Sequence, residues 1–169
     1  MLQLESERLT YREITEQDFE IVAGILRDPE VCRIWEQDFS DEEVWAWIAR
    51  RQEGYRKSGI DYLLALDKAT GQPVGQIGVL REEINGEKVW GDCRKKGYAT
   101  EGARRMATYA FAELGAGKII CDIRPINGPS LAVAQRLHMT ETGSFVKRVH
   151  GVEMVHLLFV LHPEDLLQK

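Results

Sequence analysis

The residues best suited to chemistry are Arg94-Lys95-Lys96-Gly97-Tyr98-Ala99-Thr100-Glu101, which directly precede a long amphipathic pattern. A helix that starts here turns its unpaired backbone N–H groups and the positive end of its dipole toward the loop, a natural seat for an anion. Gly97 has no side chain, so the backbone can approach closely and adopt a positive φ. Arg94, Lys95 and Lys96 add positive charge on the approach side. Together these features describe a grip on a phosphorylated ligand. Two familiar versions of that grip are excluded. A nucleotide-hydrolysing P-loop needs Lys and then Ser or Thr after its second glycine, whereas Gly102 is followed by Ala103-Arg104. A dinucleotide fold needs G-x-G-x-x-G within a βαβ unit, and the chain has none. What remains is Arg94-x-x-Gly97-x-Ala99 opening a helix.

The elements that must hold this loop follow from periodicity and capping. Leu9-Thr10-Tyr11-Arg12 reads as a short strand. Thr15-x-x-Asp18 resembles a capping box with Asp in place of Glu, opening a helix that carries Phe19, Val22, Ala23, Ile25 and Leu26 and is stopped by Asp28-Pro29. Ser40-x-x-Glu43 is a second box, before a helix with Val44, Trp47 and Ile48 at helical spacing. Trp35, Trp45 and Trp47 crowd this region, either as helix packing or as an aromatic wall for a ligand. Residues 60–67 and 73–83 read as strands. Asn85-Gly86 marks a hairpin turn into a short third strand at Lys88-Val89-Trp90. Ala99, Ala103, Met106, Ala107, Ala110, Phe111 and Leu114 share a helical face that ends at Gly115-Ala116-Gly117. Residues 118–123 form an apolar strand, Asn127-Gly128-Pro129-Ser130 leads into another helix, and 140–149 with 152–161 make a closing hairpin across His150-Gly151. The expected fold is a single α/β (α+β) domain over residues 1–169, with a mixed, largely antiparallel twisted sheet of about six to seven strands flanked by four helices.

Bulk composition narrows the function. The chain has 169 residues, 44% of them hydrophobic, and a net charge of −5, which argues against a general nucleic-acid binder. The cations at 94–96 are therefore a local feature on an acidic background. Cys32, Cys93 and Cys121 are widely spaced, without a C-x-x-C pair, so neither a metal site nor a disulfide framework is expected. No basic-then-apolar leader and no apolar run of about 20 residues is present, so a cytoplasmic location without membrane contact is the expectation.

With Leu9-Thr10-Tyr11-Arg12, Gly75-Gln76-Ile77-Gly78, Arg94–Glu101, Tyr109-Ala110-Phe111, Asn127-x-x-Ser130 and Arg136-Leu137-His138-Met139 in this order, the chain resembles the GNAT acyl-coenzyme A N-acetyltransferases, in particular the RimJ/RimL-like ribosomal-protein-alanine branch. The resemblance covers nearly the whole length. It implies acetyl-CoA as cosubstrate, no metal, and a primary amine as acceptor, either a protein N-terminal α-amine or a small molecule, with the protein acting as a monomer or homodimer. It further implies that Arg94, Lys95, Lys96, Gly97, Tyr98, Ala99 and Thr100 form the pyrophosphate loop, and that Asn127 and Ser130 lie along the pantetheine arm. Without the resemblance, Asn127-Gly128-Pro129-Ser130 would read as a turn and helix cap.

For the chemistry, the resemblance calls for a hydroxyl near the sulfur and a carboxylate acting through water. Ser130 is the hydroxyl candidate and Glu153 the carboxylate candidate, with Glu36 second. His156, between Val155 and Leu157, suits either a base or a structural role. Two departures stand out. Only Lys88-Val89-Trp90-Gly91-Asp92-Cys93 separates the Asn-Gly turn from the loop, several residues fewer than the family's strand there. His138 occupies a position where the family commonly has glycine. The short strand keeps open an alternative, a non-catalytic acyl-CoA-binding sensor or interaction module.

Overall fold

The computed structural model describes residues 2–84, 87–91, 98–149 and 151–167, with the backbone alone for 82–84 and 87–91. Among these residues nine strands form two sheets. Strands β1 (Gln3–Glu5), β2 (Leu9–Glu13), β3 (Tyr62–Asp67) and β4 (Pro73–Gly78) form an antiparallel sheet in chain order. Strands β5 (Leu80–Ile84), β6 (Glu87–Gly91), β7 (Ile119–Ile123), β8 (Thr140–Val149) and β9 (Val152–Leu161) form a second sheet in the order β5-β6-β7-β9-β8. Only β6 and β7 run parallel, joined at Trp90/Ile119 and Gly91/Ile120. Five α-helices accompany the sheets: α1 (Phe19–Leu26), α2 (Pro29–Trp35), α3 (Asp41–Ser58), α4 (Ala99–Ala112) and α5 (Gly128–Arg136). The mixed, largely antiparallel α/β architecture read from the sequence is the one observed.

Both capping boxes form. The Ser40 backbone N–H donates to Glu43 at 2.7 Å and the Glu43 N–H donates back to the Ser40 hydroxyl, starting α3. Thr15 and Asp18 start a short 3₁₀ turn that runs into α1. Two details differ from the expectation. The stop at Asp28-Pro29 is observed, but a fifth helix follows where four were expected: Pro29 sits in its first turn, where its missing N–H costs nothing, and the Asp28 carboxylate accepts the Glu30 N–H at 2.9 Å. Residues 73–83 do not make one strand. Val79 divides β4 from β5, and the two halves belong to different sheets.

Two cores hold the layers. In one, Leu9, Tyr11, Ile77 and Ile119 meet the small-residue face of α4, made of Ala99, Ala103, Met106, Ala107 and Ala110. In the other, α1 and α3 place Val22, Leu26, Val44 and Ile48 on Tyr62, Leu64 and Leu80. The fit of α4 is close enough to need a glycine, since a Cβ on Gly102 would stand 2.9 Å from Ile77 Cδ1. Gly78 is tighter still: a Cβ there would meet the Asp61 carbonyl oxygen at 2.5 Å. Both glycines lie beside the seam between the sheets, so the sequence invests its smallest residues there. No helix among the described residues is long and apolar enough to cross a membrane.

Candidate functional site

Two helix N-termini border the seam. The start of α4 is pinned from outside. Glu101 accepts from the Ser6 hydroxyl at 2.5 Å, the Arg8 backbone N–H at 2.8 Å and Arg8 Nε at 2.7 Å. Burial works against ionisation of that carboxyl, but the bonds from Ser6 and Arg8 outweigh it and hold its pKa below the usual range. Its charge is thereby committed to the β1–β2 turn. The Tyr98 hydroxyl donates to Asp67 at 2.8 Å, and the Arg8 guanidinium lies 4.8 Å from the Tyr98 ring centre. The first intrahelical bond is from the Gly102 N–H to the Tyr98 carbonyl, so the N–H groups of Ala99, Thr100 and Glu101 precede the helical ladder. Arg94, Lys95, Lys96 and Gly97 lie outside the described residues, as does Cys93.

The start of α5 is capped from within. Asn127 is the N-cap residue, and its Oδ1 accepts the Ser130 N–H at 3.2 Å. Both residues are buried, and the Ser130 hydroxyl has no hydrogen-bond partner among the described residues. Leaving a buried hydroxyl unsatisfied costs about 1–3 kcal/mol, so such a group in a folded protein calls for an explanation.

Asn127 also lines a cavity of about 360 Å³ enclosed by α1, α2, α3 and β4. Its walls are mainly apolar, with Ile21 and Ile25 from α1, Val31 from α2 and Val74 from β4. Glu20 and Asp28 supply carboxylates, and Gln76 supplies an amide. The Trp47 indole N–H donates to Gln76 Oε1 at 3.0 Å. Behind Trp47, the buried Arg51 guanidinium stacks 4.6 Å from its ring and 5.2 Å from Tyr62, and Arg51 Nη1 pairs with Asp61 at 2.9 Å. Of the three tryptophans, Trp47 is thus both packing and wall. Trp45 stacks on Phe19 at 4.5 Å, and Trp35 lines a smaller neighbouring cavity.

That smaller cavity collects polar groups around Asn127: Asp122, Arg124 and His156. Asp122 is the one acid in a wholly buried strand, 3.4 Å from Lys147 Nζ and 3.8 Å from His156 Nε2. His156 Nδ1 lies 3.0 Å from the Met154 carbonyl, which can only accept, so this nitrogen carries the proton. Arg124 donates to the Ile34 carbonyl and to Glu36 at 2.6 Å, tying the end of α2 to the loop that carries Asn127.

The candidates from the sequence therefore separate into groups. Asn127 and Ser130 come together, and Tyr98, Ala99 and Thr100 open α4. Glu36 is held at the α2 end by Arg124. Glu153 is exposed at the tip of the β8–β9 hairpin and pairs with Arg148 at 2.5 Å, outside the lining of both cavities. Sequence reasoning missed Gln76, Asp122 and Arg124. Only Asp122 carried a local signal, as a lone charge inside Ile119-Ile120-Cys121-Asp122-Ile123. Among the described residues no group of three His, Cys, Asp or Glu side chains could hold a metal. Cys32 and Cys121 are free thiols.

Comparison with known proteins fits this arrangement. Residues 8–140 match the Acetyltransferase (GNAT) domain family. YkkB of Bacillus subtilis (strain 168) is 30% identical over 151 residues, covering 80% of this chain and 84% of that protein. The acetyltransferase from Agrobacterium tumefaciens str. C58 superposes with a TM-score of 0.77 at 24% identity, over 96% of this chain and 95% of that one. Mycobacterium smegmatis RimJ, solved in complex with CoA-disulfide, gives a TM-score of 0.71 at 20% identity, over 95% and 85%. The family match spans both helix N-termini and the seam between them, and the chain belongs to the GNAT acetyltransferases, enzymes that use acetyl-CoA as the acetyl donor.

Proposed function

We propose that this chain transfers the acetyl group of acetyl-CoA to a primary amine seated in the cavity between α1, α2 and β4, the amine being a protein N-terminal α-amine or a small molecule. The observation that carries the reading is the buried, unpartnered Ser130 hydroxyl beside Asn127, at a helix start that borders the cavity. A buried hydroxyl without a protein partner is free to bond a ligand or water that enters the site. In the reaction the amine nitrogen attacks the thioester carbon, a C–N bond forms, the C–S bond breaks, and the sulfur leaves with the bonding pair. Ser130 supplies the hydroxyl that meets the departing sulfur. The backbone N–H groups of Lys96 to Thr100, with Arg94, Lys95 and Lys96, hold the pyrophosphate. Support for this part comes from the composition of the loop and from the pinned start of α4.

The amine must arrive uncharged, which for an α-amine with a pKa of about 8 needs only a weak base. Of the two carboxylate candidates, Glu36 is the nearer to the cavities, because Arg124, the residue it pairs with, lines the smaller one. Glu153 is committed to Arg148 at the hairpin tip. Replacing Gly97 with Val tests the coenzyme assignment: coenzyme A binding by calorimetry should be abolished while the circular dichroism spectrum is unchanged. Wild-type affinity in that variant overturns the pyrophosphate assignment. Ser130→Ala should lower kcat about tenfold or more with little change in coenzyme affinity. Intact coenzyme binding without turnover on any amine would instead identify an acyl-CoA-binding module.

A further inference from the structure

We infer that Gln76 is a specificity-determining residue of the cavity, selecting amines that carry a carbonyl or carboxylate oxygen over bare alkylamines. This inference rests on the proposed acetyl transfer and concerns the acceptor. An indole N–H can only donate, so the Gln76 atom 3.0 Å from Trp47 Nε1 is the amide oxygen and the amide NH₂ is turned away from Trp47. The same logic applies to Asn127, whose oxygen is taken by the Ser130 backbone N–H. Both side chains are more than nine-tenths buried, both line the larger cavity, and neither NH₂ has a hydrogen-bond partner among the described residues.

The Gln76 amide cannot readily flip to present its oxygen instead. Trp47 is clamped by the Arg51 guanidinium, and Arg51 is fixed by Asp61. The cavity lining therefore includes the Gln76 donor, Asn127 shared with the smaller cavity, apolar side chains, and the carboxylates of Glu20 and Asp28. A ligand complementary to that pattern has an oxygen acceptor, an apolar body and a cationic or neutral amine. An amino acid derivative or the first residue of a peptide, with an apolar side chain, fits all three. An alkylamine leaves both donors unsatisfied, and a site built to bond an oxygen rejects the analogue that lacks it.

The test compares L-leucinamide with 3-methylbutylamine, which share an amine and a side chain and differ in the carbonyl group. Binding is measured by calorimetry on the full chain saturated with coenzyme A, so no turnover is needed. The wild type should bind leucinamide about tenfold more tightly or better. Gln76→Glu keeps the acceptor for Trp47 and replaces the donor with an oxygen, and it should reduce the preference to within about twofold. Trp47→Phe removes the indole N–H that holds the Gln76 oxygen while keeping an aromatic ring in the wall, and it should erode the preference while leaving Gln76 in place. This second variant answers the question if Gln76→Glu fails to fold. Free leucine and Leu-Gly-Gly as further arms separate a free amino acid from a peptide terminus.

Equal wild-type affinity for the two amines overturns the inference, as does a preference unchanged in both variants. Loss of coenzyme A affinity in Gln76→Glu with the amine preference intact also overturns it, since the donor would then face the coenzyme. Thiol release from acetyl-CoA, run beside these titrations, reports on the transfer reaction separately. A Gln76-dependent preference without thiol release supports the binding inference and counts against the transfer reading.

Discussion

Two arginine–aspartate pairs with buried carboxylates, one half-exposed at Arg12 and one buried at Arg51, behave differently. Asp18 accepts from Arg12 at 2.8 and 2.7 Å, from the Thr15 N–H at 2.8 Å and from the Thr15 hydroxyl at 3.0 Å. The Arg12 bonds lead in holding its pKa down at about 2. Asp61 accepts from Arg51 at 2.9 Å and from the Tyr62 N–H at 2.6 Å, and burial pushes its pKa up despite Arg51. Arg51 Nε has no acceptor among the described residues. A carboxylate with four donors stabilises the fold. One with fewer donors is a poor stability device, because desolvation offsets the attraction. The second pair makes sense through what it touches: Arg51 holds Trp47, and Trp47 orients Gln76 in the cavity wall.

The comparison can be broken in stages. The largest effect belongs to Arg51→Met, which strands a buried carboxylate and should cost about 3–5 kcal/mol in chemical denaturation. The double variant Arg51→Met with Asp61→Leu should recover most of that loss, yet still lack the preference for leucinamide. Recovery of stability together with that preference would separate the pair from the cavity wall.

Asp18→Asn should cost about 2 kcal/mol at neutral pH, from the distance between an ordinary carboxyl at 3.8 and about 2 in the fold. The sign follows from the lowered pKa. The contribution of Asp18 is complete above pH 3.8 and fades as pH falls toward 2, so wild type and variant should converge there. Asp61 has the opposite sign. Its raised pKa means that stability increases as pH falls from its folded value to 3.8. Denaturation midpoints measured from pH 2 to 7 on the wild type, Asp18→Asn and Asp61→Asn read out the two slopes. The smallest effect, remote from both pairs, is at His138. It adopts φ +59 at the end of α5, a left-handed conformation that costs a side chain about 1 kcal/mol, so His138→Gly should raise stability by about that amount.

Local features of this fold were open to sequence reading because their causes are local. Thr15/Asp18 and Ser40/Glu43 cap their own helices, and the β8–β9 hairpin follows from a polar, alternating run and an apolar run on either side of His150-Gly151. The glycine expected at position 138 corresponds to a positive φ there. The split at Val79 was not legible, since it depends on which distant strands β4 and β5 join. The stop at Asp28-Pro29 was legible, but the helix that Pro29 opens was not, because the same residue can end one helix or begin the next, and only Asp28 accepting the Glu30 N–H reveals the second role. In the candidate site, Asn127 and Ser130 were legible as a spaced pair. Gln76 was not, because its meaning comes from an indole 29 residues earlier in the chain. The pyrophosphate loop is the converse, explicit in sequence while Arg94 to Gly97 lie outside the described residues.

The central claim is acetyl transfer to an amine in the α1–α2–β4 cavity, and thiol release from acetyl-CoA tests it most directly. Purified full-length chain should release coenzyme A thiol at a rate that saturates with an apolar α-amine such as leucinamide, with the amine gaining the mass of one acetyl group. Thiol release that is no faster with any amine than without, despite measurable coenzyme binding, would contradict the account.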